Sequence, residues 1–164
     1  MKIRHRIASL SAALLLLPTA ALAHDSAGQL GKVTFPTSCA PKVQKNFETG
    51  VAMLHSYWFG EARKVFDQVL KDDPNCAIAY WGIALDYLGN SLSAPPQAKA
   101  AAAAWESLEK ARSIGAKTER ELDWIEALST YYRDHDKVPV NTRLQRYLAA
   151  TEGLTQKYPD DYEA

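Results

Sequence analysis

The chain has 164 residues, of which 47% are hydrophobic and 10% aromatic, so it holds enough apolar side chains for a folded core and global disorder is excluded. Lysine plus arginine number 19, as do aspartate plus glutamate. Because no dense run of basic residues is present to displace counterions from phosphates, we expect no nucleic-acid partner.

Residues 1–23 have the pattern of an export signal. Lys2, Arg4 and Arg6 precede an apolar stretch at 8–17, and small residues then end at Ala23, after which cleavage is expected. The alternative, a membrane anchor, needs about 20 apolar residues, so we expect no stable membrane insertion after cleavage. The mature chain, with 16 basic and 19 acidic residues, is predicted to be periplasmic or secreted.

Residues 24–41 contain glycines and prolines with only short apolar fragments, which predicts an extended lead-in segment. It includes Cys39, and the second cysteine of the chain is Cys76. In an oxidising compartment this pair predicts a disulfide. The alternative is two buried free thiols. We expect no metal site, because Cys39, Cys76 and the distant His55 are too few ligands at too wide a spacing.

A helical period begins at Lys42. Phe47, Val51, Leu54 and Trp58 recur at steps of four, three and four, which places them on one stripe of a helix. Continued along the chain, the pattern predicts helices at about 42–57 and 60–72, then at Asn75 to Gly89, Pro95 and Pro96 to Gly115, Thr118 to Asp134 and Asn141 to Pro159. No convincing strand interrupts them, so the fold class is predicted to be all-α.

Three of these helices have a predicted N-cap. Asn75 and Asn141 precede apolar helical stripes, and asparagine is a favoured cap. Thr118 and Glu121 have the spacing of a capping box.

The spacing of small and large residues indicates a repeat. Counted from Val43, Gly50 falls at position 8, Ala62 at 20, Phe66 at 24 and Pro74 at 32. A close crossing of two helices requires Gly50 to meet Ala62, and these are the demands of a 34-residue tetratricopeptide repeat. In a second unit counted from Ala77, Ala84 takes position 8. Residues 42–164 are therefore predicted to form antiparallel helix pairs at about 42–74, 76–115 and 118–158, stacked as a right-handed superhelix.

The stretch from Phe47 to Gly89, which includes LHSYWFGEA and DPNCAIAYWG, resembles a group of exported bacterial tetratricopeptide proteins. The resemblance continues through AKTERELDWIEALSTYY to YPDD and covers most of the mature chain. It implies a repeat scaffold for protein interactions and implies no catalytic residues. Members of the group are usually much longer. Because residues 159–164 look like the opening of a seventh helix, we expect this chain to be a truncated product or a fragment of a longer array.

In such arrays the first helix of each pair lines a concave surface. The positions that face it include Phe47, Val51, His55, Trp81 and Leu85. We predict a groove for an extended or helical peptide, with Trp81 as the anchor and His55 at the rim. The alternative is that the lead-in segment or a neighbouring repeat covers these residues as ordinary core.

The predicted function is a non-catalytic scaffold that binds a protein or peptide and uses no cofactor or metal. The alternative is part of a longer enzyme or metal-binding protein with a site near His55. The sixth helix presents apolar residues that no further repeat covers, which favours self-association through this helix. These residues are Leu144, Tyr147, Leu148 and Leu154.

Overall fold

The structure is a computed structural model that describes residues 30–90 and 94–163. The predicted signal peptide at 1–23 and the first part of the lead-in, 24–29, lie outside these ranges. Within them the chain forms six α-helices and no strand, which confirms the all-α fold class. The helices are α1 (Gln44–His55), α2 (Glu61–Asp72), α3 (Ala77–Leu88), α4 (Ala98–Ile114), α5 (Glu119–Tyr132) and α6 (Val140–Lys157), and a 3-10 turn at Pro41–Val43 precedes α1.

Each helix packs against the next one along the chain. The odd-numbered helices also contact one another, α1 with α3 and α3 with α5, so these three helices form one layer. Glycine occupies two connections where the backbone takes a left-handed conformation. These are Gly60 (φ 76°), between α1 and α2, and Gly115 (φ 79°), after α4. Helix α2 ends at Asp72, two residues before Pro74, which cannot continue a helix.

Four of the five predicted repeat residues lie in the core between α1, α2 and α3, namely Gly50, Ala62, Phe66 and Ala84, whereas Pro74 is exposed in the turn after α2. Ala62, Phe66 and Ala84 are fully buried. A Cβ atom added to Gly50 would lie 2.8 Å from the ring of Phe66, so this glycine lets α1 approach that ring. Gly82 has the same role in α3, because a Cβ atom added there would lie 2.5 Å from the ring of Phe66. The sequence pattern did not predict Gly82, and a direct contact between Gly50 and Ala62 stays a prediction.

Two predicted N-caps are wrong. Helix α3 begins at Ala77 with Cys76 as its N-cap, and Asn75 lies in the preceding turn, where its N–H donates to Asp73 Oδ1 at 3.2 Å. Helix α6 begins at Val140 with Pro139 as its N-cap, so Asn141 lies inside the first turn. In both cases the turn before the helix, and not the side chain of the asparagine, determines where the helix begins.

The ends of two other segments also differ from the prediction. Pro95 and Pro96 precede α4 and do not form its first turn, because the helix begins at Ala98, after an extended Gln97 (ψ 160°). At the other end of the chain, Pro159 to Glu163 form turns and not the opening of a seventh helix.

The capping box of α5 is confirmed for Thr118, whose side-chain oxygen accepts a hydrogen bond from Glu121 N at 3.2 Å.

The Glu121 carboxylate is fully buried and binds the lead-in segment. It accepts hydrogen bonds from Ser38 N at 2.8 Å and from Ser38 Oγ at 2.5 Å. Glu121 therefore joins α5 to a residue 83 positions away.

The lead-in is also joined covalently to the helices. Cys39 and Cys76 form a disulfide, with their Cα atoms 4.8 Å apart, so the predicted pair is confirmed and the alternative of free thiols is wrong. Beside it, Ala40 N donates to Asp73 Oδ2 at 2.7 Å. The lead-in is thus held at both α3 and α5, which determines where Phe35 is placed.

Candidate binding pocket

Phe35 from the lead-in segment lies at the centre of an aromatic cluster. Its ring is 5.2 Å from that of Phe47, 5.5 Å from that of Trp81 and 5.5 Å from that of Trp124, measured between centroids. Trp81 and Trp124 also pack edge to face at 5.3 Å. Because Phe35 is fully buried, the segment before the first helix forms part of the core of the helical layer α1, α3 and α5.

The cluster determines how much of the predicted partner-binding face stays open. Phe47 is fully buried beneath Phe35, and Val51 and Trp81 are each 2% exposed. Of the five predicted residues only His55 is exposed on the surface. A role in partner binding stays a prediction for all five, and for Phe47 the cover provided by Phe35 favours the alternative of ordinary core.

A pocket of about 310 Å³ remains beside the cluster, between α1, α3, α5 and α6. Four of the five predicted residues line it, namely Val51, His55, Trp81 and Leu85. Six of the thirteen lining residues are aromatic: Phe35, Tyr57, Phe59, Trp81, Trp124 and Tyr147. The walls are thus dominated by aromatic rings.

The rim of the pocket carries a histidine–carboxylate pair. His55 Nε2 lies 2.7 Å from Glu163 Oε2, with the His55 side chain 60% exposed and the Glu163 side chain 13% exposed. These residues come from the end of α1 and from the turns that follow α6. The pair therefore fixes the segment after α6 at the edge of the pocket.

An ion pair with α5 also holds the segment that follows α6. Arg120 Nε donates to Asp161 Oδ2 at 2.6 Å, and Trp124 Nε1 donates to the same oxygen at 3.2 Å. Desolvation by burial raises the pKa of Asp161, but the bonds from Arg120 and Trp124 outweigh it, so this pKa lies below its ordinary value. The Arg120 guanidinium also lies 4.1 Å from the centroid of the Phe35 ring.

Tyr147 places a phenol on the α6 side of the pocket. Burial raises the pKa of Tyr147 to about 12, so the hydroxyl stays protonated near neutral pH and acts as a neutral donor and acceptor. The ring packs 6.3 Å from that of Tyr131. Tyr147 was predicted to lie on an uncovered face of α6, and the structure turns it toward α5 and the pocket.

The other residues of that predicted face divide between inside and outside. Leu154 is 4% exposed and belongs to the core, whereas Leu144 is 43% and Leu148 52% exposed. These two leucines are one helical turn apart and form a small apolar surface on α6.

The lining of the pocket includes four titratable side chains and the hydroxyl group of Thr151. The titratable side chains among its lining residues are His55, Tyr57, Tyr147 and Glu163, and neither a serine nor a cysteine is found among the residues the structure assigns to the lining. A group of potential metal ligands occurs elsewhere, at Cys39, Asp73 and Cys76, within 4.8 Å of one another. Because both sulfurs are in the disulfide, neither is a thiolate that could bind a metal ion.

No family model, curated protein or solved structure matches the chain. In the part of the chain that the structure describes, none of the helices has the length and apolar character needed to cross a membrane.

Sequence reasoning missed Phe35, Trp124 and Glu163. The sequence does hold a signal for Trp124, because Glu121, Trp124 and Leu128 are spaced as one stripe of a helix, which predicts that they share one face of α5. Phe35 lies in a segment without a period, and Glu163 lies in a turn, so no local pattern marks either residue.

Proposed function

We propose that this protein is a non-catalytic scaffold of the tetratricopeptide type that binds a protein or peptide in the periplasm. The predicted partner is a polypeptide, because the pocket lies on the face where such repeats bind extended or helical segments. The observation that carries the proposal is that Val51, His55, Trp81 and Leu85, chosen as partner-binding residues from the repeat register, line one pocket.

The packing of the helices supports the repeat type. A tetratricopeptide array requires each helix to pack on the next and the first helices of successive pairs to lie side by side. The contacts of α1 with α3 and of α3 with α5 agree with this requirement. So does the burial of Phe66 between Gly50 and Gly82, where a large side chain fills the space that two small residues leave.

Two features support the compartment. The pattern of residues 1–23 predicts export, and the Cys39–Cys76 disulfide fits an oxidising environment. Amino-terminal sequencing of protein recovered from a periplasmic extract tests this part. A first residue of His24 is expected, and retention of the segment before it would contradict export with cleavage.

The proposed binding function is tested by selecting displayed random peptides against the mature chain and measuring the affinity of the selected sequences. A Leu85→Trp variant fills the pocket with a larger side chain, and we expect it to weaken binding by about tenfold or more, which corresponds to about 1.4 kcal/mol. The matched control is Leu122→Trp. Leu122 is 44% exposed on α5 and does not line the pocket, so the affinity should not change.

Both variants are compared with the wild type by circular dichroism and thermal unfolding, so that loss of binding is not confused with loss of the fold. Failure to select any peptide, or equal binding by the Leu85→Trp variant, would contradict the proposal.

A second candidate is self-association through α6, which the exposure of Leu144 and Leu148 favours. Sedimentation velocity over a hundredfold range of protein concentration tests it. The sedimentation coefficient should rise with concentration for the wild type and stay constant for a Leu144→Glu, Leu148→Glu variant. A monomer at every concentration rejects this candidate.

A further inference from the structure

We propose that the group taken up by the pocket is the side chain of a lysine in the partner polypeptide. This inference rests on the proposed function, since it names the chemical class of the residue that the same pocket receives. It combines two observations: the aromatic walls and a carboxylate at the rim.

Aromatic rings line the pocket, with 2% of Trp81 and 6% of Trp124 exposed. Phe59, Trp81 and Trp124 line the pocket, and the negative face of an aromatic ring attracts an ammonium group, most strongly for tryptophan. Rings of this cluster already take part in such contacts, because Arg120 lies 4.1 Å from the centroid of Phe35 and 5.8 Å from that of Trp124.

The charge at the rim is complementary to a cation. Glu163 is the only aspartate or glutamate among the residues assigned to the lining, and neither a lysine nor an arginine is found among them. The guanidinium of the nearby Arg120 is paired with Asp161. His55, which contacts Glu163, is the other group at the rim that carries a positive charge when protonated. A ligand that enters the pocket therefore meets one carboxylate, of which only 13% of the side chain is exposed.

The arrangement of that carboxylate favours lysine over arginine. His55 Nε2 contacts Glu163 Oε2 at 2.7 Å, so one of the two carboxylate oxygens is already engaged. One available oxygen suits the compact ammonium group, whereas a guanidinium binds best when both oxygens of a carboxylate face its planar fork.

Lysine also fits better than a purely apolar residue. Its four-carbon chain can contact the apolar walls formed by Val51, Leu54 and Leu85 while the ammonium group reaches the rim. An apolar side chain would cover the walls but would exclude water from the Glu163 carboxylate and leave it with the His55 contact alone.

The test uses two soluble peptides that differ in one side chain. In each peptide a central residue is flanked by glycine and serine. The central residue is lysine in one peptide and norleucine in the other, and norleucine retains the four-carbon chain but lacks the ammonium group. Binding to the mature protein is followed by the shifts of the tryptophan indole N–H signals in NMR spectra, at low ionic strength. We expect the lysine peptide to bind about tenfold more tightly than the norleucine peptide.

Two variants locate the effect. Glu163→Gln removes the charge and should reduce the preference for lysine to less than about threefold, since the aromatic faces remain. Asp160→Asn is the matched control, because Asp160 is an exposed carboxylate of the same turn that does not line this pocket. The control should keep the full preference.

The outcomes separate this inference from the proposed function. Equal or tighter binding of norleucine, or no response to either peptide up to millimolar concentration, overturns the lysine assignment, while peptides selected by display can still establish a peptide-binding pocket. A third outcome is that choline binds, whereas its uncharged isostere 3,3-dimethylbutan-1-ol and the lysine peptide do not. The pocket then takes a small organic cation, and the assignment to a polypeptide is wrong.

Discussion

The backbone of Gly82 in α3 lies directly against the phenyl ring of Phe66 in α2. A Cβ atom at Gly82 would be 2.5 Å from that ring, closer than side-chain carbons approach one another in proteins. The same ring contacts Gly50 of α1, so one side chain sets the distances among three helices. Two of these helices, α1 and α3, belong to the layer that lines the pocket.

We therefore expect Gly82→Ala to lower the free energy of unfolding by about 1–3 kcal/mol, because the added methyl group overpacks a filled site. This expected net loss already includes the gain of about 1 kcal/mol that alanine brings to a helix interior. The control is Gly153→Ala in α6, where nothing lies within 4 Å of the added atom, and a stabilisation of about 0.5–1 kcal/mol is expected. Urea unfolding measures both. A stabilised Gly82→Ala protein would contradict the packing around Phe66.

Phe35 joins the lead-in segment to the core. Phe35→Ala should lower the free energy of unfolding by about 3–5 kcal/mol, because it removes a fully buried ring and leaves a cavity among Phe47, Trp81 and Trp124. Leu122→Ala, at a position 44% exposed, serves as the control and should cost less than about 1 kcal/mol. Equal, small effects in chemical denaturation would show that the lead-in does not pack as described.

The Cys39–Cys76 disulfide closes a separation of 37 residues. Reduction is expected to lower the free energy of unfolding by about 3–4 kcal/mol, because the unfolded chain regains the entropy that the crosslink removes. Thermal unfolding with and without dithiothreitol measures the effect. A Cys39→Ala, Cys76→Ala variant provides the control, since the reductant should not change its melting temperature. An unchanged wild-type melting temperature would contradict the prediction.

The ion pair between Arg120 and Asp161 predicts a pH dependence. The pKa of Asp161 is lowered from 3.8 in the folded protein, so the carboxylate contributes stability that is present above that value and is lost as the pH falls through the lower, folded pKa. Asp161→Asn should be less stable than the wild type at pH 6, and the difference should shrink below about pH 4.

Urea midpoints of the wild type and Asp161→Asn between pH 6 and pH 2.5 measure this dependence. Asp160→Asn is the control, because Asp160 is exposed in the same turn and its curve should follow that of the wild type. A difference between wild type and Asp161→Asn that stays constant over the whole range would show that the charge of Asp161 does not stabilise the fold.

The local pattern of the sequence determined the helices. The spacing of Phe47, Val51 and Leu54 marks α1 because a helix repeats its inner face every three or four residues. The same holds for all six helices of the described residues, and Gly60 and Pro74 marked two of their boundaries. The Cys39–Cys76 pair followed from counting cysteines. The caps at Asn75 and Asn141 failed because cap preference is weak compared with the conformation of the turn before the helix.

Only the tertiary structure decided what surrounds the pocket. The ring of Phe35, the indole of Trp124 and the carboxylate of Glu163 come from a lead-in, a helix and a turn that lie far apart in the chain, and their meeting depends on the distances between packed helices. Periodicity reports which face of one helix turns inward. It carries no information about which distant residue covers that face. This is why four residues of the pocket were predicted from the sequence, while the lead-in was only one of two alternative covers and Phe35 was not identified.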